Sequence, residues 1–351
     1  MQRNGRVSRV VCRLRKSWKP GQLVQGTVYM TFGMAGRTLV QGVVFIAVAR
    51  IMGAGNYGAY AAVLALAMAM GGFVGVGAPV LMMREVARAE QPFGRIWGGV
   101  LTVMLVSMPV ILVLYLATTW WLLPEGVGLT VIVMVGFAEI VCAPFTLSAI
   151  QAYQGHDRIG RASTLVFVPV LPRFAAVGIL IAFEYIDASV NLLEVWSFLY
   201  VCSSTLSMIY ALTLVRKELG CAIFPGWHEV LHTLKCGLPF AFVNTALKLY
   251  ADIDKALIAR LVTLEAAGAY SAGYRVMDLA MIPMNAWLTA TTARFFKAGQ
   301  SGLGDALKYG WRIVPLPAVY AVVVGFALYA SADMLPHVLG RSYGAAVDVL
   351  K

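Results

Sequence analysis

Long apolar stretches, each closed by a short polar segment, run along almost the whole chain. About 20 apolar residues make one helical crossing of a bilayer. By that measure helices are predicted near 22–49, 57–80, 97–119, 128–152, 163–183, 191–215, 236–259, 268–292 and 312–331, and a tenth begins near Ala345. The segments joining them on one side, 50–56, 120–127, 184–190, 260–267 and 332–344, are short. None has the length of a separate domain or of a loop that could house a large active site. The pattern predicts an all-α, polytopic membrane helix bundle.

The pattern also repeats. At an offset of 210 residues, Ala49–Leu64 matches Ala259–Tyr274 without gaps at Arg50/Arg260, Gly58/Gly268, Ala59/Ala269 and Tyr60/Tyr270, among others. A duplicated unit of this length predicts two lobes. Six helices precede the second copy, so both copies enter the membrane in the same sense and the repeat is parallel. The predicted organisation is a basic tail 1–21, a six-helix N-lobe 22–215, a linker with a surface helix 216–235 and a partial C-lobe 236–351. Lys351 corresponds to Val141 under the offset. The second lobe is therefore expected to stop about ninety residues short of completion.

Composition agrees with a membrane protein. Hydrophobic residues make up 60% of the chain and charged ones 13%, about half the roughly 25% expected of a soluble domain. The net charge of +11 would by itself admit a nucleic-acid partner, but its placement argues otherwise. Nineteen Lys and Arg residues fall in the tail and the loops of one side, against Arg50, Arg260 and Arg341 on the other. The positive-inside rule then places the N-terminus in the cytoplasm, and the basic excess faces anionic lipid. The stretch 22–49 is too long for a signal h-region and contains Arg37, so it reads as an uncleaved first helix. The five cysteines form no CxxC and none lies in an outer loop, so no disulfide framework is expected.

Charges inside the apolar stretches carry the candidate chemistry, because each costs roughly 2.5–3.5 kcal/mol to place at mid-helix on an insertion scale. They are Arg37 in helix 1, Glu139 in helix 4, Arg173 in helix 5, Lys248, Asp252, Asp254 and Lys255 in helix 7, and Arg275 and Asp278 in helix 8. On a helical wheel Asn244, Lys248, Lys255 and Asp252 fall within about 80° of one another. Asp254 falls on another side. A polar stripe of this kind is expected to face a partner helix or a wet cavity. The alternative is simple pairing: Lys248–Asp252, Asp252–Lys255 and Arg275–Asp278 have the right spacing, and Glu139 is placed to meet Arg173. Arg37 has no acidic partner in its own helix. Five cations against four anions make a slightly cationic interior, suited to an anionic substrate.

Two motifs suggest other chemistry. His228, Glu229 and His232 spell HExxH, a zinc-hydrolase pattern in which two histidines one turn apart share a metal and the glutamate acts as base. The segment leads into helix 7 and no third ligand lies nearby, so neither a metal nor any other cofactor is expected. Gly53, Gly55 and Gly58 spell GxGxxG, but that fingerprint works between a strand and a helix. Between two membrane helices its glycines read as a tight turn.

Ala49-Arg50, Gly53, Tyr57-Gly58, Tyr60, Gly75-Val76-Gly77 and Arg84-Glu85-Val86-Ala87, followed in the second half by Gly237-Leu238-Pro239, Ile253-Asp254-Lys255, Gly268 to Arg275, Ile282-Pro283 and Leu339-Gly340 with Tyr343, resemble polysaccharide (O-antigen and exopolysaccharide) flippases. These belong to the multidrug/oligosaccharidyl-lipid/polysaccharide, MATE-like exporter superfamily. The resemblance covers roughly residues 22–351. It implies two lobes around a central cavity and alternating-access movement of polyprenyl-pyrophosphate-linked sugar units between leaflets of the inner membrane. It further implies that basic residues hold the anionic head group, for which Arg37, Lys248, Lys255 and Arg275 are the candidates here. Asp254 matches an acidic position of the family's helix 7, and Asp252, Asp254 or Asp278 could couple transport to protons or sodium. The expected partners are the lipid-linked oligosaccharide, the bilayer, and the polysaccharide polymerase and export machinery, with no nucleic acid. An exporter of drugs or of lipid-linked peptidoglycan precursors is the nearest alternative. A membrane zinc hydrolase built on His228, Glu229 and His232 is an alternative of another class. A sugar polymerase is disfavoured by the short outer loops.

Overall fold

The computed structural model describes residues 20–350 apart from 89–90, 125, 187–190, 225, 285–286, 288–290, 292–303, 305–306, 308–309 and 312, with side chains from Gly36 onward. The basic tail before residue 20, the basic residues Arg294, Lys297, Lys308 and Arg312, and the side chains of His228 and His232 lie outside this set. The described residues form helices and turns with no strand. Six helical spans among them are long and apolar enough to cross a membrane: Gly36–Gly71, Phe93–Leu122, Leu129–Gly155, Ile159–Glu184, Leu192–Glu218 and Pro315–Leu339. Large apolar side chains such as Val113, Val322 and Phe326 stand exposed on the outside of the bundle, where lipid rather than water is their solvent. Trp120 and Trp121, at the end of one span, are also exposed, a position suited to the membrane–water interface. The protein is a multi-pass membrane helix bundle.

The nine predicted crossings and these six spans differ for identifiable reasons. The first two predicted helices join into one element, α1 (Pro20–Gly71), bent at Gly53, where φ is 72° and ψ 169°. Only a residue without Cβ takes that conformation cheaply, so the expected loop 50–56 shrinks to a single residue. Predicted helix 7 is present as α9 (Trp227–Leu261), but its charged stripe keeps it below the apolarity of a span. Its first turns are the segment expected to form a surface helix. Predicted helix 8 is α10 (Leu264–Ala280), started by the Thr263 side chain, which accepts from the Ala266 amide at 3.0 Å. Much of its expected continuation lies outside the described residues.

After α1 the chain breaks at 72–77 and resumes as α2 (Ala78–Arg88), inside what the apolar pattern presents as one helix. Gly75, Val76 and Gly77 all have positive φ, and for a β-branched residue such as Val76 that is a strained conformation. Close approach explains the glycine: a methyl on Gly77 would lie 2.2 Å from the carbonyl oxygen of Gly237 in α9. α3 (Phe93–Leu122) follows. α4 (Leu129–Gly136) then passes through a π-helical turn, Phe137–Cys142, into α5 (Ala143–Gly155). Pro144 cannot donate to the carbonyl four residues back and its ring crowds it, and that carbonyl, of Ile140, lies in the widened turn. The turn holds Glu139. α6 (Ile159–Phe167) and α7 (Val170–Ile186) form the next span, and α8 (Leu192–Glu218) the one after.

α1 lies at the centre and packs most extensively on α10 and α9. At its crossing with α10 a methyl on Gly58 would stand 1.8 Å from the Leu264 carbonyl oxygen, and one on Gly268 would stand 2.0 Å from that of Ala54. Past α11 (Pro315–Ser331) the segment 332–344, expected as a plain loop, folds into short helical turns, including α12 (Leu335–Leu339), ahead of α13 (Ala345–Leu350). These turns cover the Gly53 bend. Buried Tyr343 donates to the Ala49 carbonyl at 2.9 Å, and the Ala54 amide, freed by the bend, donates to Ser342 Oγ at 3.3 Å.

Candidate functional site

A cavity of about 120 Å³ opens between α1, α7, α8 and α10. Its wall is aromatic. Tyr60 packs edge-on to Trp196 and Tyr200, with ring centroids 6.2 and 5.8 Å apart, and Tyr57 leans on Tyr60 at 6.2 Å. Into this wall are set Arg173 from α7 and Arg275 from α10, with Gln41 and Asp278 also on the lining. The two arginines belong to opposite halves of the chain. Helices from both halves of the chain thus border one small, half-open space.

Arg173 is held by neighbours of its own half. Its Nη2 donates to the Tyr200 hydroxyl at 3.2 Å and to Ser204 Oγ at 3.5 Å, and the guanidinium carbon lies 4.5 Å above the Tyr200 ring, a cation–π distance. The Tyr200 hydroxyl donates in turn to Glu139 Oε1. Glu139 and Arg173, expected to meet directly, are thus joined through a tyrosine. The buried Arg173 Nε has no hydrogen-bond acceptor among the described residues, whereas the Trp196 indole N–H lies against the Tyr60 hydroxyl. Arg37 stands exposed next to the lining residues, within electrostatic range of Arg173, Tyr200 and Glu139.

On the other side, Arg275 lies against the Tyr57 phenol and reaches Asp278 at 3.9 Å, both side chains being about half exposed. Of the seven candidates read from the sequence, Arg275 and Asp278 line the cavity and Arg37 sits beside it. Lys255, Asp252 and Asp254 gather instead into a separate cluster between α9 and α10. Lys255 Nζ meets Asp252 Oδ1 at 2.5 Å and Asp254 Oδ1 at 4.0 Å, and lies 4.9 Å from the Tyr274 ring centroid. The Tyr270 hydroxyl donates to Asp254 Oδ2 at 2.5 Å. Asp252 therefore turns to Lys255 and not to Lys248, which remains within electrostatic range of Glu139 and Asp252. Angular position on a wheel had separated Asp254 from the stripe; the reach of the lysine side chain bridges that gap.

Sequence reasoning did not select Tyr57, Tyr60, Trp196 or Tyr200, and it noted Arg173 only as a charge. One signal was present, since Tyr60 is the repeat counterpart of Tyr270, and each faces the charged cluster of its own half. Nothing in local periodicity singles out Trp196 or Tyr200.

The HExxH segment forms the first turns of α9. The Glu229 carboxylate is taken by Arg95, which donates to it from both Nε and Nη2, so the group that a hydrolase would use as base is already engaged. Among the described residues no three His, Cys, Asp or Glu side chains gather as a metal set. Metal analysis of the purified protein is expected to find no stoichiometric zinc, unchanged by His228→Ala. Zinc at one equivalent, lost in that variant, would revive the hydrolase.

With this geometry in hand, comparison with protein families gives a match to the family described as polysaccharide biosynthesis protein, over residues 23–295. No curated protein and no solved structure matches significantly.

Proposed function

The chain belongs to the polysaccharide biosynthesis protein family, and from that premise we propose that it flips a polyprenyl-pyrophosphate-linked oligosaccharide from the inner to the outer leaflet of the inner membrane, by alternating access. The observation that carries this reading is the cavity in which Arg173 and Arg275, from the two halves of the chain, share one aromatic wall. Intramembrane charge is costly, so a cationic pocket inside a membrane bundle points to a functional site. Pyrophosphate is the part of such a substrate that two arginines recognise. The cavity holds a head group, and the lipid tail would remain in the bilayer.

Alternating access needs two bodies that rock about a shared site. The crossing of α1 and α10 supports such a division. Gly58 abuts Leu264 and Gly268 abuts Ala54, and at the offset of 210 Gly58 corresponds to Gly268 and Ala54 to Leu264, so the two contacts are counterparts. Contacts that exchange in this way are those of a local two-fold axis. On this reading the N-terminus is cytoplasmic, as the distribution of basic residues favours. The Asp252–Lys255–Asp254 cluster is then the place for ion coupling, with Asp278 at the cavity edge. No covalent chemistry is involved.

The test is the leaflet distribution of lipid-linked oligosaccharide in cells that lack the gene, with and without this chain restored. The expected outcome is intermediate trapped on the cytoplasmic leaflet and released when the chain is expressed. An even distribution in the deleted cells would remove the flippase reading.

A further inference from the structure

Glu139 sits in the π-helical turn Phe137–Cys142 and faces groups from every element around it. They are Tyr115 on α3, Cys142 on its own turn, Arg37 and Tyr60 on α1, Arg173 on α7, Tyr200 on α8 and Lys248 on α9. Three of these are cations and Glu139 is the sole carboxylate in the set. One anion set among Arg37, Arg173 and Lys248 leaves the region short of negative charge. Asp252 also acts on Lys248 at a distance, but Asp252 and Asp254 are engaged by Lys255 and Tyr270 and Asp278 stands with Arg275.

The contact between Glu139 and Arg173 has an unusual form. A direct pair would saturate both groups in a two-pronged bond. Here Tyr200 stands between them, and Arg173 uses only its Nη2, toward Tyr200 and Ser204. Its Nε is buried without an acceptor, while the residue itself borders the cavity. Buried donors without acceptors are rare in folded proteins because each forfeits its hydration. Arg173 thus keeps hydrogen-bonding capacity that Glu139 does not occupy.

Resting on the head-group reading of the cavity, we infer that Arg173 is the receptor for an oxygen of the phosphate ester, and that Glu139 is a resident counter-ion, acting through Tyr200, which positions the guanidinium and limits how tightly it holds the anion. A carrier needs such a limit. A site of unopposed arginines would bind the head group and not release it, whereas conduction through a site requires binding weak enough to leave. Tyr200 lets the carboxylate orient the guanidinium without occupying its free edge. Glu139 is a positioning residue in this scheme, and Arg173 touches the ligand.

The roles predict shifts of opposite sign. The purified 351-residue chain in a neutral detergent is titrated calorimetrically with farnesyl pyrophosphate, inorganic pyrophosphate and phosphatidylglycerol. Glu139→Gln is expected to tighten farnesyl pyrophosphate binding about tenfold and Arg173→Gln to weaken it about tenfold. Arg173→Lys keeps the charge but loses the fork and is expected to weaken binding severalfold. It serves as the readout if Arg173→Gln does not fold. Tyr200→Phe is expected to abolish the effect of Glu139→Gln, which a purely structural carboxylate would not do. Weakening by both Glu139→Gln and the arginine variant, or no binding by the wild type, overturns the inference. Phosphatidylglycerol binding as well as farnesyl pyrophosphate overturns its assignment to a pyrophosphate. The two readings fail separately. Opposite shifts with an even leaflet distribution in deleted cells would leave an anion site without a flippase. Trapped intermediate with shifts of the same sign would leave the flippase without this counter-ion.

Discussion

Replacing Arg275 by glutamine is expected to abolish export of the lipid-linked oligosaccharide while the protein still inserts in the membrane, and Arg37→Gln is expected to do the same. Arg275 lies on the cavity wall, and among the described residues its ion pair, to Asp278, is long and half exposed. Exposed pairs of that kind contribute roughly 0–1 kcal/mol, so the fold loses little when the charge goes. The head group loses more. Truncating one partner of a buried, hydrogen-bonded charge pair costs about 2–5 kcal/mol of binding, or about thirtyfold and upward in affinity. Arg37 stands in the field of Arg173 and Glu139, so its removal weakens the same site from the other half. Export scored against the amount of protein in the membrane fraction separates the two effects. Arg275→Lys should retain part of the activity, since charge survives and geometry does not. Full export by both glutamine variants would defeat the placement of the head group in this cavity.

Gly58→Ala and Gly268→Ala are expected to be the most damaging single-methyl changes in the bundle. In each case the new Cβ would come within 2.0 Å of a backbone carbonyl oxygen on the facing helix. A flexible side chain could swing away; a helix backbone cannot. The helices must move apart, loosening the α1–α10 interface along its length. Overpacking a well-filled interior costs about 1–3 kcal/mol, and these two positions should reach or exceed the upper end. The control is Gly160→Ala, where nothing lies within 4 Å of the added methyl and the change should be neutral or slightly stabilising. Thermal unfolding in detergent reads the difference. Wild-type melting of both Gly58→Ala and Gly268→Ala would mean that the two helices do not pack closely in the protein, and would remove the support they lend to a two-body carrier.

These two experiments probe features that were legible to different degrees. Gly58 and Gly268 stand out in the chain as matched members of a repeat, before anything is known of their contacts. That each touches the other's helix is a tertiary fact. Arg275 was readable as an intramembrane charge, and cost alone justified suspicion of it. Arg173 was equally readable as a charge, but its place on the cavity wall depends on Tyr200 and Glu139, 27 and 61 residues apart along the chain in their respective contacts. Lys255 and Lys248 look equivalent on a helical wheel. Only packing against α10 brings Tyr270 to Asp254 and leaves Lys255 closed in and Lys248 open to the field of Glu139.

The breaks in the helices follow the same division. Gly53 could be read as a turn, yet that the turn would be one residue long depends on Ser342 and Tyr343, nearly three hundred residues away, which take up the polar groups the bend exposes. The gap at 72–77 lies within an apolar run whose hydropathy signals continuity, and the chain opens there to let Gly77 meet Gly237.

What the sequence by itself determined is the all-helical membrane character, the run of apolar spans and the presence of costly charges among them. Those properties are set by transfer free energies and helical periodicity, which act on each segment alone. What only the tertiary structure decided is which charges share a cavity, which are neutralised, and where a helix must open to pass another. Those outcomes turn on distances of a few ångströms between segments far apart in the chain, and no local pattern encodes them.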